Sequence, residues 1–595
     1  MRARRLRGSA RLLVIIGSLI TTMIAALVLS GCVSVPTSGS VEQADSGTRP
    51  DNSRPEVVPK PPVQDASPRV IIDGFLLAMS RYQPGYQIAK QFLTTDARAS
   101  WRPEDKITIY NNPKYDSTES NVVLSMSKVG QVGADGSYSA ESGRLTQDFG
   151  MQKDAKGQWR ISNPPDGLLI SDTSFSATYT SYDLYFFDPQ FRTLVPDPIY
   201  LPIDGQTESA LMQALLRGPT DSLRAAVTTA FPRLSLAGVP VENGIAQISL
   251  GSAGASLKDQ QLTQMSAQIA WTLGQIEDSP PHGFRLTANG NVLRVPRQVG
   301  SGQSAYVPIP YGSQFAPIPR RQSDDLMAVQ NDAIVSVRAD GSQITPLAGP
   351  LGRKGFAIDS LAVDADAKRL AAVTGGRRVL RSQPIGAGTV GTLLYNQQDL
   401  LRPDYTRFDE LWAVSGSAHQ QVVRVFKGAS TKPTMVAAPW LRQYKLINFQ
   451  ISPDGTRMAV VVGEGDHDLL AIAPIIRGDA IRLGDLQLVD LADSDSTQVQ
   501  QLADLGWISS TRLLILGAAT RGASFEPYGV EIDGSQFERV GTSDNWGATA
   551  LSTAVDQSGA YHAVVSGRGS KSWIYRSGDQ WSLLPGNLAS ASYPS

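Results

Sequence analysis

Cys32 is the only thiol in the 595-residue chain, so it is the one side chain that could accept a lipid through a thioether. Other candidate chemistry is sparse. His282, His419, His467 and His562 are the only histidines, and none stands in the His-Glu-x-x-His spacing that puts two ligands on one helical face. Glu464-Gly465-Asp466-His467-Asp468 is the densest set of possible ligands for a hard cation, although a solvated loop after a strand needs polar residues in any case. Ser125-Met126-Ser127-Lys128 has a Ser-x-x-Lys spacing but lies in a strand pattern without companion motifs. Gly386-Ala387-Gly388-Thr389-Val390-Gly391 has the letters of a dinucleotide loop, yet no helix follows to supply a dipole for phosphate. There is no Gly-x-Ser-x-Gly elbow, and no carboxylate pair can be chosen among 55 acidic residues without distances. The expectation is a non-enzymatic chain with no catalytic residues, no metal site and no cofactor.

The context of Cys32 is an export signal. Arg2, Arg4, Arg5, Arg7 and Arg11 form a basic start, and 12–29 is apolar and softened by Gly17, Ser18, Thr21 and Thr22, which reads as a secretory signal over 1–31. Leu29-Ser30-Gly31-Cys32 resembles a bacterial lipobox. That resemblance implies cleavage before Cys32 and acylation of its thiol, and two acyl chains, at about 0.8 kcal/mol per buried methylene, hold a protein stably to a bilayer. An uncleaved signal anchor and a free or intermolecular thiol are the alternatives.

Composition describes the exported part. With 54 Lys+Arg against 55 Asp+Glu, the chain lacks the basic field of a nucleic-acid binder, so no nucleic-acid partner is expected. Without a second thiol, disulfides within the chain and thiolate metal sites are excluded. Residues 32–67 are rich in Ser, Pro, Gly and Asp, with Pro59-Lys60-Pro61-Pro62, and read as a disordered tether. Roughly 35 residues at up to about 3 Å each give it a reach of tens of ångströms.

Order is expected from Pro68. Val70, Ile71, Phe75, Leu76 and Met79, then Ile88, Ala89, Phe92 and Leu93 after Pro84-Gly85, predict two amphipathic helices before Trp101. Strands follow over 107–110, 121–132, 138–145 and 158–162. Over 68–176 this pattern resembles the cone-like α+β domain of nuclear-transport-factor-like proteins, here read as a spacer. Next, 179–187 and 194–201 read as strands, 207–217 as a helix stopped by Gly218-Pro219, 257–276 as a long helix, and 284–287 as a strand running into Asn289-Gly290. Tyr185-Phe186-Phe187, Leu215-Leu216-Arg217-Gly218-Pro219 and Ile245-Ala246-Gln247-Ile248-Ser249-Leu250 resemble the GerMN domain of germination and sporulation proteins, giving an α/β module over 177–300. That resemblance implies no catalysis.

A proline-containing stretch, 301–322, reads as a linker. Beyond it, 323–595 repeats. Leu326-Met327-Ala328-Val329, Leu370-Ala371-Ala372-Val373, Leu411-Trp412-Ala413-Val414, Met458-Ala459-Val460-Val461, Leu513-Leu514-Ile515-Leu516 and His562-Ala563-Val564-Val565 recur at 41–55 residue intervals. Asp340-Gly341-Ser342-Gln343 and Asp533-Gly534-Ser535-Gln536 are matching hairpin turns. Units of this length close radially as a β-propeller of about six blades. Ser452-Pro453-Asp454-Gly455 resembles the turn of TolB-like propellers. Trp412, Trp440, Trp507, Trp546, Trp573 and Trp581 would serve as blade cores, or alternatively as interface or glycan platforms.

The fold class is thus multidomain α+β and all-β. An arginine-rich lipoprotein signal, a cone-like domain, a GerMN-like domain and a propeller, together with 68–76 (PRVIIDGFL) and 86–94 (YQIAKQFLT), resemble the actinobacterial LpqB lipoprotein family over the whole chain. The resemblance implies a membrane lipoprotein accessory to the MtrA/MtrB two-component system, contacting the extracytoplasmic sensor domain of the kinase MtrB. The alternative is a cell-wall glycan or peptidoglycan binder, or a remnant hydrolase.

Overall fold

Helix α1, Pro68–Ser80, places proline in its first turn, where the missing N–H costs nothing, and buries Ile71, Ile72, Phe75, Ala78 and Met79 along one face. That face packs on a sheet of β1 (Lys106–Ser117), β2 (Val122–Gly133), β3 (Tyr138–Asp148) and a later strand, Leu168–Ser171, in the order β3-β2-β1 and then Leu168–Ser171. Phe75 is fully buried, with its ring 5.4 Å from Trp101 and 6.4 Å from Phe92. The second expected helix is instead two 3-10 turns, Pro84–Tyr86 and Ala89–Phe92, followed by the short α2, Thr95–Ser100. Gly85, at φ 67°, reverses the chain and leaves too few residues for a full helix. β4 (Met151–Lys153) pairs with β5 (Trp159–Ile161), and β6 is Leu168–Ser171, which runs parallel to β1. This is the computed structural model; it describes 58–595 except 235, 237, 278, 322, 387, 492–498, 542–545 and 579.

The end of the stretch expected to be tether is already anchored. Pro59 is buried, the Asp65 amide donates to Gln158 Oε1 at 2.7 Å, and Gln158 Nε2 returns a bond to Asp65 Oδ1 at 2.9 Å. Two polar side-chain contacts suffice where the sequence offers no apolar periodicity.

After α3 (Asp172–Thr178), the second domain begins with the hairpin β7 (Tyr179–Phe187) and β8 (Leu194–Pro202). Helix α4 (Thr207–Arg217) follows, then β9 (Val241–Glu242), β10 (Ile245–Ser249), helix α5 (Asp259–Leu273), β11 (Gly283–Ala288) and β12 (Asn291–Val292). β10 and β11 are parallel because α5 carries the chain back between them. Buried Gln268 on α5 spends both ends of its amide, donating to Tyr185 O at 2.7 Å and accepting from Ala230 N at 2.7 Å.

The stretch 301–322 is not a free linker. β13 (Val307–Pro308) pairs with β11; Ala305, Val307 and Tyr311 are buried; and Phe315 meets Phe187 edge-on at 5.1 Å. Proline content excluded a helix there, but the apolar residues between the prolines had a core to enter.

Among the described residues the C-terminal region forms six sheets. All six of the repeated apolar segments occupy the second strand from the axis, which is sandwiched on both sides and therefore apolar throughout. The ring closes through Ala589–Ser592, which pairs with Leu326–Gln330 and supplies the innermost strand of the first blade. Both Asp-Gly-Ser-Gln turns are equivalent third-to-fourth strand connections, each with its aspartate accepting from the serine amide at 2.8 Å. In the fourth blade, Asp454 Oδ1 accepts from Thr456 N at 2.8 Å and Gly455 turns at φ 77°. Trp412, Trp440, Trp507 and Trp546 are buried within or between blades, whereas Trp573 and Trp581 are half-buried and pack on Trp546 at 5.2 and 5.4 Å.

Candidate functional site

In each blade the turns joining the first to the second strand and the third to the fourth lie on one face of the propeller. The other two N-terminal domains dock there. Ala140 N donates to Asp533 O at 2.9 Å, Arg457 Nη2 to Pro196 O at 2.6 Å, and Arg407 Nη1 to Ala316 O and Pro317 O at 3.0 and 2.6 Å. Arg192 lies over the Phe408 ring at 3.9 Å. The first two domains are joined to each other by Tyr200 N donating to Gly136 O at 2.9 Å and Arg217 Nη1 donating to Ala134 O at 3.3 Å. All of these contacts fall within the single compact unit Pro59–Ser595.

The docked face closes one end of the central channel. The incoming segment with Pro319 and Arg321 crosses it, Gln557 Nε2 holds Ile318 O at 3.3 Å, Arg321 lies over the Tyr593 ring at 5.7 Å, and a void of only about 40 Å³ remains. At the opposite face the channel opens into a mouth of about 330 Å³, lined by the starts of the innermost strands.

Asp504 organises that mouth. Its carboxylate receives both Arg402 Nη groups at 3.0 Å, Asn448 Nδ2 at 2.6 Å, Leu505 N at 2.8 Å and Leu551 N at 2.7 Å. These donors come from the third to the sixth blades, so one side chain ties four blades together. Burial pushes its carboxyl upward, while the Arg402 charge and the amide donors pull it back. On the other side of the mouth, Asp359 accepts from Arg377 N at 2.7 Å, and Arg377 Nε donates to Leu400 O at 3.0 Å. The exposed Arg353 and Lys354 lie in the loop beside the Arg377 hairpin, which Gly375 N bonds through Ala357 O at 2.9 Å. No motif announced these residues; the only signal was a charge interrupting an apolar strand, as in Leu502-Ala503-Asp504-Leu505.

The sites read from sequence disperse. Leu29, Ser30, Gly31 and Cys32 lie outside the described residues. Ser125 and Lys128 sit in β2, where Lys128 pairs with Glu141 and Ser125 Oγ faces Thr146 Oγ1 at 3.5 Å. Glu464–Asp468 forms the hairpin between the middle strands of the fourth blade; Asp466 pairs with Arg521 at 3.1 Å and Asp468 accepts from Leu502 N at 3.0 Å. Among the described residues no group of three or more His, Cys, Asp or Glu could hold a metal. Of the segment 386–391, Ala387 lies outside the described residues, and Gly388–Val390 run into the outer strand Gly391–Leu394, with no helix among the described residues behind it.

Comparison with known proteins agrees with this architecture. Residues 61–176 match the family model "Lipoprotein LpqB, N-terminal domain", 183–294 match "Sporulation and spore germination", and 334–595 match "Lipoprotein LpqB beta-propeller domain". Lipoprotein LpqB of Cutibacterium acnes is 29% identical, covering 91% of this chain and 93% of its own. Lipoprotein LpqB of Nocardia farcinica is 27% identical over 92% and 91%, and that of Streptomyces coelicolor 25% over 86% and 88%. Matches at both ends of the chain, with relatives aligned through the domain between them, cover the same order of parts as the structure: the chain belongs to the lipoprotein LpqB family.

Proposed function

We propose that the chain is a lipid-anchored, extracytoplasmic binding protein that engages the sensor domain of an MtrB-type histidine kinase through the free face of its propeller. The observation that carries this reading is the asymmetry of the propeller: one face and one channel end are covered by the chain's own domains, and the other face, with the mouth clasped by Asp504, is left uncovered among the described residues. All three domains dock into one compact unit, Pro59–Ser595, which would present that face as part of a single body. The family name supports the lipoprotein character, and Cys32 is the residue proposed to carry the lipid. Among the described residues no helix is long and apolar enough to cross a membrane.

Binding changes signalling only where it favours one kinase conformation, because equal affinity for two states shifts no population. The test is titration of the exported chain against the purified sensor domain. Direct binding is expected, weakened at least tenfold by the exposed pair Arg377→Glu and Arg378→Glu on the free face. Absence of binding at high micromolar concentration, together with unchanged regulator phosphorylation in a deletion strain, would overturn the reading.

A further inference from the structure

A groove of about 850 Å³ runs between the first domain, β8 of the second and the fifth blade, within the size range of ligand pockets, about 300–1,000 Å³. Its floor is aromatic. Tyr138 and Tyr200 are 5.3 Å apart, Phe175 is 5.3 Å from Tyr200 and 6.4 Å from Tyr138, and Phe175 stacks on Tyr179 at 4.9 Å. On the propeller side Phe537 enters the wall, itself stacked on Tyr528 at 5.1 Å.

The sheet is deformed at this place. Both the β1–β2 and the β2–β3 ladders lose register between Lys128 and Gly130, leaving Val129 outside both. A bulge bends a strand and re-aims side chains, and such features gather beside binding sites. Here it lets Ser127, Lys128, Val129 and Glu141 all line the groove.

The polar groups along the groove retain unspent hydrogen-bonding capacity. The Asp172 carboxylate, at the start of α3, accepts no hydrogen bond among the described residues, and the hydroxyls of Tyr138, Ser176 and Ser181 make none there either. Asn111 accepts through Oδ1 from Asn112 and keeps its own amide donors. Lys128 and Arg144 stand against Glu141, Asp172 and Asp490, and Lys128 is already paired with Glu141. A nearly balanced rim disfavours a polyanion. Aromatic faces bordered by a free carboxylate, an amide and hydroxyls suit instead a ligand with apolar C–H faces and many hydroxyls.

We propose that this groove binds a neutral oligosaccharide, with sugar rings on the half-exposed Tyr138 and Tyr200, which the buried Phe175 and Tyr179 back from behind, and their hydroxyls on Asp172 and Asn111. The site is on the docked side of the propeller and is independent of the free face used for a protein partner. Saturation-transfer NMR and calorimetry on the exported chain, with β-1,4-linked tetramers of N-acetylglucosamine and of glucose as probes, test it. At least one tetramer is expected to bind, and Asp172→Ala and Tyr138→Leu should each weaken it at least tenfold while leaving kinase sensor-domain binding unchanged; the melting temperature should hold for Asp172→Ala and fall slightly for Tyr138→Leu, whose ring packs on Tyr200 and Phe175. No transfer to either tetramer at millimolar concentration would overturn the proposal. Binding that is equal in wild type and both folded variants would overturn it as well.

Discussion

Replacing Asp504 with alanine removes the acceptor for five hydrogen bonds at the channel mouth and strands the Arg402 guanidinium. The Asp504 side chain is 2% exposed and that of Arg402 17% exposed, so this pair behaves as a buried one. Removing one partner of such a pair costs about 3–5 kcal/mol, because the other charge stays uncompensated. The amides of Leu505 and Leu551 lose their partner too, but the 330 Å³ mouth admits water to them, which keeps the total within that range. At about 2–4 °C per kcal/mol for a large domain, the melting temperature of the propeller should fall by roughly 6–20 °C. Differential scanning calorimetry of residues 33–595 reads this directly. Arg402→Met combined with Asp504→Leu should recover part of the loss, since no unpaired charge then remains. A shift within experimental error for Asp504→Ala would refute the idea that one carboxylate ties four blades together.

Burial raises the Asp404 carboxyl to about 7 although Ile451 N and Ser595 Oγ donate to it. Its folded pKa lies above its unfolded one, so its contribution is full below about pH 4 and is lost as pH rises to about 7; wild type should melt higher at pH 5 than at pH 8, and Asp404→Asn should reduce that difference. Cys32→Ala should release the protein from the membrane fraction or leave it unprocessed, as read by fractionation and mass spectrometry; retention and processing like wild type would exclude a lipid anchor. Limited proteolysis should cut within 33–57 before 301–319, because Val307, Tyr311 and Phe315 are held by the second domain; early cleavage at 301–319 would contradict that packing. Arg457→Ala removes the bond to Pro196 O and should increase hydrogen exchange along β8.

Elements whose signal is local and periodic are legible in the residue order. The 3.6-residue spacing of Ile71, Phe75 and Met79 predicted α1, the stop at Gly218-Pro219 bounded α4, and the recurrence of apolar quartets gave six propeller units because each is the doubly buried second strand of a sheet. The proposed lipid anchor at Cys32 rests on the linear segment Leu29-Ser30-Gly31-Cys32 alone, which lies outside the described residues. Whatever depends on ring closure and domain docking is invisible until the chain is folded. The Ala589–Ser592 strand closes a ring with residues more than two hundred positions away, a pairing that no local pattern encodes. Asp504 looks like a lone charge until Arg402, Asn448 and Leu551 arrive from three other blades. The stretch 301–322 read as a linker because its prolines are local, whereas the β11 edge and the Phe187 ring that hold it are distant. The aromatic groove assembles from three domains for the same reason: in this chain secondary structure follows from neighbours along the sequence, and the sites follow from neighbours in space.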